Sequence, residues 1–256
     1  MEFDLKGKQV LITGGSKGIG LGCAKAFAAE GCDLHLAARD ETQLKAAKAE
    51  ILGVRQVSVT LHAADLSQSD AVKQVAAASG EIDVLVNNAG AIPGGSIETI
   101  DETTWREAWD LKVFGYINMT REVLGGMLKR KSGVIVNVIG VAGMKPSYDY
   151  ICGATGNAAL IAFSRGVGAG TTTHGVRVLG INPTTTRTDR TIKLYKGRAK
   201  AKYGDESRWE ELLVDPPFGR QAEVEEVADV VVFCASERGS YLSGTVIDVD
   251  GGKLYR

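Results

Sequence analysis

The chain has 256 residues, with 30 lysines and arginines against 31 aspartates and glutamates and a formal net charge of −1 at pH 7. This near-neutral balance gives no electrostatic basis for general binding to nucleic acid or to an anionic membrane. No run of 18 apolar residues occurs, and acids stand near the N-terminus where a signal peptide has a basic and then an apolar stretch. We therefore expect a cytoplasmic protein whose length suits one large domain.

Apolar, β-rich runs alternate with helical patterns along the whole chain. They predict strands at Gln9–Thr13, 33–37, 56–62, Val84–Asn87, 133–139, 177–182 and 245–250. Several of these runs are apolar on both faces, which is typical of parallel strands covered by helices on each side. The alternation predicts a single α/β domain over residues 1–256, with a doubly wound, seven-stranded parallel sheet and helices on both faces.

A glycine-rich turn follows the first predicted strand. The stretch VLITGGSKGIG, residues 10–20, places Gly14, Gly18 and Gly20 where the first predicted helix begins. Glycine allows the positive φ and the close backbone approach that a pyrophosphate requires, and unpaired N–H groups at the helix start supply donors and partial positive charge. In this strand–turn–helix context the pattern indicates a dinucleotide-binding site.

Further motifs follow this turn: NNAG at 87–90, GVIVNV at 133–138, GVRVLGINP at 175–183, and the stretch 218–252. Together with the T-G-x-x-x-G-x-G spacing of the turn, they make the chain similar to the short-chain dehydrogenase/reductase family over nearly its whole length. The resemblance implies a Rossmann fold and an oxidoreductase that uses a nicotinamide dinucleotide. It also implies a set of cofactor-binding residues: Gly14, Ser16, Lys17, Gly18, Ile19, Gly20, Arg39, Asp65, Leu66, Asn87, Ala89, Gly90, Pro183 and Thr188.

Charge at the end of the second strand indicates which dinucleotide binds. An acid there would bind the ribose 2′-hydroxyl of NAD and repel a 2′-phosphate. In the stretch LAARD, Ala38 matches the family's acid and Arg39 follows it, while Lys17 lies in the glycine-rich turn near the same corner. Two cations favour NADP, with NAD as the alternative because Asp40 stands beside Arg39.

All four residues that move the proton in ordinary members of the resembled family are replaced. The positions of the family's Asn, Ser, Tyr and Lys hold Lys112, Gly140, Gly153 and Asn157. In the family, the tyrosine exchanges the proton while hydride moves, and the lysine on the same helix face lowers the tyrosine's pKa. Glycine at 153, where the family has the tyrosine, is predicted either to pack closely against another helix or to open space above the nicotinamide.

Substitute proton-transfer groups are sought close to these vacated positions. His35 and His62 lie on predicted strands and His174 precedes the sixth, away from the ligand crevice, so we expect all three to be structural or surface residues. A desolvated lysine titrates at a lower pH than a free one. Our hypothesis is therefore that Lys112, with Tyr148 or Tyr150, forms a displaced acid–base pair.

The longest connection, about 40 residues between the sixth strand and the helix that begins near Glu223, predicts a cover over a site. We call residues 187–217 the lid segment. Its first part, 187–202, carries seven lysines or arginines and one acid. These cations are predicted either to meet a substrate carboxylate or phosphate or to form a solvated helix face.

Three functions are compatible with these patterns. The favoured one is an NADP(H)-dependent oxidoreductase acting on a carbonyl or alcohol of a small, anionic substrate. The alternatives are a non-redox enzyme on the same scaffold, such as a lyase, hydratase or dehalogenase, and a silent NADP(H)-binding protein. The family resemblance implies a homo-oligomer, a dimer or tetramer. The cysteines Cys23, Cys32, Cys152 and Cys234 show no C-x-x-C spacing, so we expect reduced, buried thiols and no metal.

Overall fold

In the computed structural model, which describes residues 3–256, seven parallel strands form one sheet. They are β1 (Gln9–Thr13), β2 (Asp33–Ala38), β3 (Val59–Ala63), β4 (Val84–Asn87), β5 (Gly133–Val138), β6 (Val176–Pro183) and β7 (Val246–Val249). Their order across the sheet is β3-β2-β1-β4-β5-β6-β7. The predicted fold is confirmed. Met1 and Glu2, with which the predicted domain begins, lie outside the described residues.

Helices cover both faces of the sheet. They are α1 (Gly18–Ala29), α2 (Glu41–Val54), α3 (Ser69–Ser79), α4 (Glu102–Trp109), α5 (Gly115–Arg130), α6 (Ile151–Gly170), α7 (Asp189–Tyr203) and α8 (Val224–Ala235). Apolar residues of α1, α2 and α8 form one buried cluster with the strands, and residues of α3 and α5 form a second cluster on the other face. Two buried faces explain why the central strands are apolar throughout rather than in alternation.

The strand boundaries differ from the predicted ones mainly at β3. The apolar pattern predicts a start at Gln56, but the strand begins at Val59. Ser58 donates its backbone N–H to the Asp33 carboxylate at 2.9 Å. This N–H therefore bonds a side chain of β2 and not its backbone, and regular strand pairing starts one residue later. The start of β1 and both ends of β4 lie where the sequence predicts them.

Every strand runs in the same direction, so all seven carboxyl ends meet at one edge of the sheet. The chain order reverses between β1 and β4, which are adjacent in the sheet. Ligands of open α/β sheets bind outside this edge at such a reversal. In the described residues, 3–256, no helix combines the length and apolar composition needed to cross a membrane. The same residues bring no three metal-ligating side chains together.

Two histidines pair on the neighbouring strands β2 and β3. His35 Nδ1 and His62 Nε2 lie 3.1 Å apart, and Ser79 Oγ lies 3.3 Å from His62 Nε2. Burial lowers the pKa of both rings below the usual 6.5, and the charge of His62 lowers the pKa of His35 further, while Asp33 opposes this. The fold therefore favours the neutral rings.

We expect the free energy of unfolding to fall in acid because of this pair. The unfolded chain takes up protons near pH 6.5, whereas the folded rings resist them, so stability present above about pH 6.5 is lost as the pH falls through the lower folded pKa values. Urea midpoints at pH 8 and pH 5.5 measure the loss. His62→Gln should reduce the pH dependence, and the exposed His174→Gln should leave it as in the wild type. Equal pH dependence in both variants would contradict the assignment.

Candidate active site

The glycine-rich turn lies at the carboxyl edge between β1 and β4. Thr13, the last residue of β1, accepts hydrogen bonds at Oγ1 from the backbone N–H of Asn88 at 2.9 Å and of Ala89 at 3.1 Å. Asn88 Nδ2 donates in return to the carbonyls of Thr13 and Gly14, each at 3.2 Å. These four bonds join the NNAG stretch to the turn and fix the shape of the crevice floor.

Gly20, in the first turn of α1, has no room for a side chain. An added Cβ would stand 2.1 Å from the carbonyl oxygen of Gly14, far inside contact distance. The backbone of the helix start therefore lies directly on the turn, and its N–H groups face the crevice at the positive end of the helix dipole. The start of the lid segment also reaches this turn, since a Cβ at Gly18 would lie 3.4 Å from Thr188 Cγ2.

The second corner of the crevice is basic. Arg39 is exposed and has no ion-pair partner in the described residues. Asp40, which stands beside it, caps α2 instead and accepts a hydrogen bond from the backbone N–H of Gln43 at 3.0 Å. Lys17 precedes α1 and is also exposed. Asp40, the acid that argued against NADP, is therefore hydrogen-bonded to the start of α2.

The remaining predicted cofactor residues line the same edge in different degrees of burial. Asp65 is exposed and accepts from the backbone and hydroxyl of Ser67, while Leu66 is 4% exposed. Asn87 is fully buried and donates to Asn137 Oδ1 at 2.9 Å and Thr120 Oγ1 at 3.1 Å. Ser16, Ile19, Ala89, Gly90 and Thr188 are half-buried, and Pro183 is buried.

Lys112 lies on a π-helical segment, Asp110–Phe114, which joins α4 to α5. Single π-helical turns inside longer helices are frequent at functional sites. The Lys112 stem packs on Gly90, where a Cβ would stand 2.8 Å from Lys112 Cδ. Its ammonium donates to the Ile139 carbonyl at 2.8 Å. Burial, with a smaller contribution from the charge of Arg190, lowers its pKa to about 8.

Asn157, at the family's lysine position, points to the same place as Lys112. Its Nδ2 lies 3.3 Å from the carbonyl of Gly140, next in sequence to the carbonyl that Lys112 binds. Asn157 is 3% exposed, and its Oδ1 has no partner in the described residues. The Asn157 amide and the Lys112 ammonium therefore both converge on the end of β5.

The space above Gly153 is filled by the ring of Tyr150. A Cβ on Gly153 would stand 2.1 Å from Tyr150 Cζ and 2.6 Å from its hydroxyl oxygen. Glycine here accommodates a tyrosine from the preceding turn and does not leave open space, in contrast to one of the two expectations. Tyr150 belongs to an apolar cluster with Ile92, Trp105 and Trp109, and burial raises its pKa.

The two candidate tyrosines differ in burial, since Tyr150 is half-buried in this cluster and Tyr148 is exposed. Tyr148 is 59% exposed, and its hydroxyl donates to the carboxylate of Glu98, which raises the pKa of Tyr148. Tyr150 has no side-chain hydrogen bond in residues 3–256, and none joins it to Lys112. Arg190 is the charge that acts on both residues, since it lowers the pKa of each.

Arg190 connects α7 to the loop after β4. Its guanidinium donates to the carbonyls of Gly90 and Ile92, both at 2.9 Å. These oxygens are neutral, so the positive charge of Arg190 stays uncompensated beside Lys112. The sequence predicted a basic lid segment but contains no signal for these two bonds, because any carbonyl can accept from an arginine.

Residues 8–199 match the profile of the family described as short chain dehydrogenase. The chain belongs to the short-chain dehydrogenase family. It is 32% identical over 252 residues to a 3-oxoacyl-(acyl-carrier-protein) reductase of Chlamydia muridarum. The match covers 97% of this chain and 98% of the relative. It is 34% identical over 251 residues to a 2-keto-3-deoxy-L-fuconate dehydrogenase of Xanthomonas campestris, with 97% of this chain and 80% of the relative covered.

Among solved structures of this family, the L-sorbose reductase of Gluconobacter frateurii, complexed with NADPH and L-sorbose, superposes with a TM-score of 0.94. It shares 32% identity with the chain, and 100% of each chain is covered. The prediction of a short-chain dehydrogenase/reductase enzyme is confirmed by these relatives, and the NADPH-bound structure supports the predicted cofactor.

Proposed function

We propose that the protein is an NADP(H)-dependent reductase of a small, anionic carbonyl compound, in which Lys112 donates the proton. The observation that carries this proposal is the half-buried Lys112: its stem packs on Gly90, its ammonium binds the Ile139 carbonyl at the end of β5, and its pKa is lowered to about 8. It keeps a cation in a site from which the family's lysine is missing.

The chain's own residues fit the cofactor. The glycine-rich turn and the start of α1 would hold the pyrophosphate, because the close contact of Gly14 with Gly20 excludes side chains and a helix start has unpaired N–H groups. Arg39 would meet a 2′-phosphate without competition from Asp40, which caps α2. Thr188, against the turn, would hold the nicotinamide amide.

When bound, NADPH supplies the hydride that the carbonyl carbon accepts. Lys112 Nζ donates a proton to the carbonyl oxygen as negative charge develops there, and the resulting amine regains a proton from solvent. Arg190 stabilises the same negative charge, since its own charge is bonded only to neutral carbonyls. A lysine with a pKa of about 8 is a better acid at neutral pH than one near 10.5.

Tyr150 takes the structural place of the family's phenol and forms the wall of the substrate pocket. Its ring covers Gly153 and packs in one cluster with Trp109 and Ile92, and in our proposal this apolar cluster keeps water from the reacting carbonyl. We propose Tyr150 rather than Tyr148 as the partner of Lys112, because the Tyr148 hydroxyl is bound to Glu98 at the surface.

One experiment separates this function from the alternatives. NADPH is titrated by its fluorescence, and a panel of oxo acids, aldehydes and sugars is then screened for loss of absorbance of the reduced cofactor. Binding with turnover supports the reductase. Binding without turnover across the panel favours a silent NADP(H)-binding protein, and no binding favours a non-redox enzyme.

We expect the same titration to show a preference for NADPH over NADH that depends on Arg39. Arg39→Ser removes a charge-assisted contact with the 2′-phosphate, so the NADPH dissociation constant should rise about tenfold while that of NADH stays within about twofold. Arg55→Ser, a change of the same kind beyond α2, is the matched control. Equal losses for both cofactors would contradict NADP specificity.

A homo-oligomer and a cytoplasmic location remain predictions. Of the α6 glycines, Gly153, Gly156 and Gly168 pack within the chain, whereas Gly166 and Gly170 lie on an exposed face with no atom within 4 Å of an added Cβ. We propose this face as the contact between copies of the chain. Sedimentation velocity measures the oligomeric state.

A further inference from the structure

The carbonyl that accepts the Lys112 ammonium lacks its usual partner in the sheet. Ile139, directly after β5, donates its N–H to the Ile181 carbonyl at 2.8 Å, so it continues the parallel pairing of β5 with β6. In a parallel ladder the residue two positions beyond Ile181 would donate the next N–H, to the Ile139 carbonyl. That residue is Pro183, which has no N–H. The Ile139 carbonyl is therefore left for a side chain, and Lys112 Nζ binds it at 2.8 Å.

Asn182 holds the opposite side of the same peptide unit. Its Oδ1 accepts a hydrogen bond from the N–H of Gly140 at 3.3 Å. The carbonyl of Ile139 and the N–H of Gly140 belong to one planar peptide unit and point in opposite directions. Asn182 is fully buried, so water does not compete for this bond. The orientation of the carbonyl that Lys112 binds therefore depends on Asn182.

Gly140 makes a holding group necessary at this point. Its φ is +130°, a conformation that side chains rarely adopt, and it lies beyond the regular end of β5. Two side-chain amides hold it: Asn182 on its N–H, and Asn157 Nδ2, which lies 3.3 Å from its carbonyl. Glycine has more accessible backbone conformations than other residues, so loss of the Asn182 amide would allow this peptide unit to turn.

A carboxylate on the edge strand β7 fixes Asn182 in turn. Asn182 and Asp248 are opposite residues of the β6–β7 ladder, and Asn182 Nδ2 donates to Asp248 Oδ1 at 2.9 Å. Side chains of directly opposite residues lie on one face of a sheet and reach each other. Because an ionised carboxylate only accepts hydrogen bonds, Asp248 orients the amide, with its nitrogen toward β7 and its oxygen toward Gly140.

The hydrogen bonds from Lys112 to Asp248 all run in the same direction. The ammonium donates to a peptide carbonyl, the N–H of that peptide donates to the Asn182 oxygen, and the Asn182 nitrogen donates to the carboxylate. Amides linked head to tail polarise one another, so each bond strengthens the next. With an ammonium at the donor end and a carboxylate at the acceptor end, the series favours a charged and fixed Lys112.

No carboxylate pairs directly with Lys112 in the part of the chain that the structure describes. Arg190, which acts on Lys112 from α7, is itself positive and lowers the pKa of the ammonium, as burial does. The ring of Tyr116, on α5, has its centroid 5.7 Å from Lys112 Nζ, and burial raises the pKa of this phenol. The contacts with the NNAG stretch and with the end of β5 are to uncharged groups. The series therefore connects the ammonium to a carboxylate that does not touch it.

We propose that Asn182, held by Asp248, is a positioning residue for Lys112: it sets the direction of the carbonyl that anchors the ammonium and helps to keep the proton there. The role of this anchoring in catalysis rests on the proposed function, whereas the anchoring itself does not. When the peptide unit turns, Lys112 loses a charge-assisted hydrogen bond, so it releases its proton at a lower pH.

NMR titration of Lys112 in the cofactor-free protein tests the anchoring without any turnover. The ¹³Cε resonance of Lys112 is assigned by its absence in Lys112→Met and is followed as the pH is raised. Asn182→Ala should lower the pH of half-titration by about one unit, because the bond to the charged group is lost. Asp248→Ala should lower it by about half a unit, since the exposed carboxylate is screened by solvent. Asp229→Ala, the same change at an exposed acid of α8, should leave it unchanged.

The kinetics of carbonyl reduction give the second measurement. Asn182→Ala should lower kcat about tenfold through misplacement of the acid, while the NADPH dissociation constant stays within about twofold of the wild-type value. Reduction should also begin to decline at a lower pH, by the same interval as in the NMR titration, because the ammonium is lost earlier. A merely structural role of Asn182 would reduce the amount of folded enzyme and leave this pH profile unchanged.

A wild-type titration of Lys112 in a folded Asn182→Ala variant, or in Asp248→Ala, would overturn the proposal, and so would equal shifts in Asp248→Ala and Asp229→Ala. Asp248 lies at the surface of an edge strand, so its variant decides the question if Asn182→Ala does not fold. Failure of the proposed function has a different signature. In that case the Lys112 titration shifts as expected, but no carbonyl compound is reduced or reduction does not follow the shift.

Discussion

Replacing Lys112 with methionine is expected to lower kcat for carbonyl reduction by about one hundred- to ten-thousandfold, the range typical for loss of a positioned general acid. Methionine keeps the length and packing of the lysine stem against Gly90 but has no proton to donate. NADPH affinity, measured by fluorescence, should change little. Lys129→Met, an exposed residue near the end of α5, is the matched control and should keep wild-type turnover.

The pH dependence of carbonyl reduction tests the role of Lys112 as the acid, independently of how far kcat falls in Lys112→Met. Because the pKa of Lys112 is lowered to about 8, the ammonium needed for reduction is present below about pH 8 and is lost above it. Reduction should therefore decline tenfold per pH unit above about pH 8, and alcohol oxidation, which needs the free amine, should rise through the same range.

Lys112→Arg separates charge from proton transfer. Arginine stays protonated at every accessible pH, so it preserves positive charge at the site but cannot act as the acid. We expect this variant to lose the inflection near pH 8 along with most of its turnover. Retained turnover without the inflection would mean that Lys112 acts only through its charge, and a retained inflection would mean that another group titrates near pH 8. Wild-type turnover in Lys112→Met would remove the residue from the mechanism.

The sheet could be predicted from the sequence because many independent features indicate it. Seven apolar runs, a glycine-rich turn in the right context and the family's motifs all indicate one fold, and an error at one boundary, as at β3, leaves the rest intact. The assignment of the family's catalytic positions to Lys112, Gly140, Gly153 and Asn157 rests on the ungapped sequence pattern and stays a prediction.

The interactions within the site were not accessible in the same way, because they depend on side-chain directions. Asp40 and Arg39 are neighbours in sequence, yet only the turn into α2 directs Asp40 to the Gln43 backbone and leaves Arg39 exposed. Lys112 and Asn157 converge on the end of β5 from a π-helical segment and from α6, and no sequence signal for the π-helical segment was recognised.

Gly153 provides the most direct test of this rearranged site. In an ordinary helix, glycine to alanine stabilises by about 1 kcal/mol. Gly153→Ala is expected to destabilise the protein by about 1–3 kcal/mol instead, because the new methyl group would stand 2.1 Å from the Tyr150 ring and displace it from its cluster. The free energy of unfolding in urea measures the change. Gly53→Ala in α2, where no atom lies within 4 Å, should be neutral or stabilising.

A double-mutant cycle then identifies the ring as the cause. In a Tyr150→Ala background the space above residue 153 is open, so adding Gly153→Ala should stabilise the protein by about 1 kcal/mol, which reverses the sign of the single substitution. The change in unfolding free energy caused by Gly153→Ala is measured in both backgrounds, and the difference between the two values is the coupling energy between residues 150 and 153. The same sign in both backgrounds would show that the Tyr150 ring does not occupy this space, and the assignment of Tyr150 as the wall beside Lys112 would fail with it.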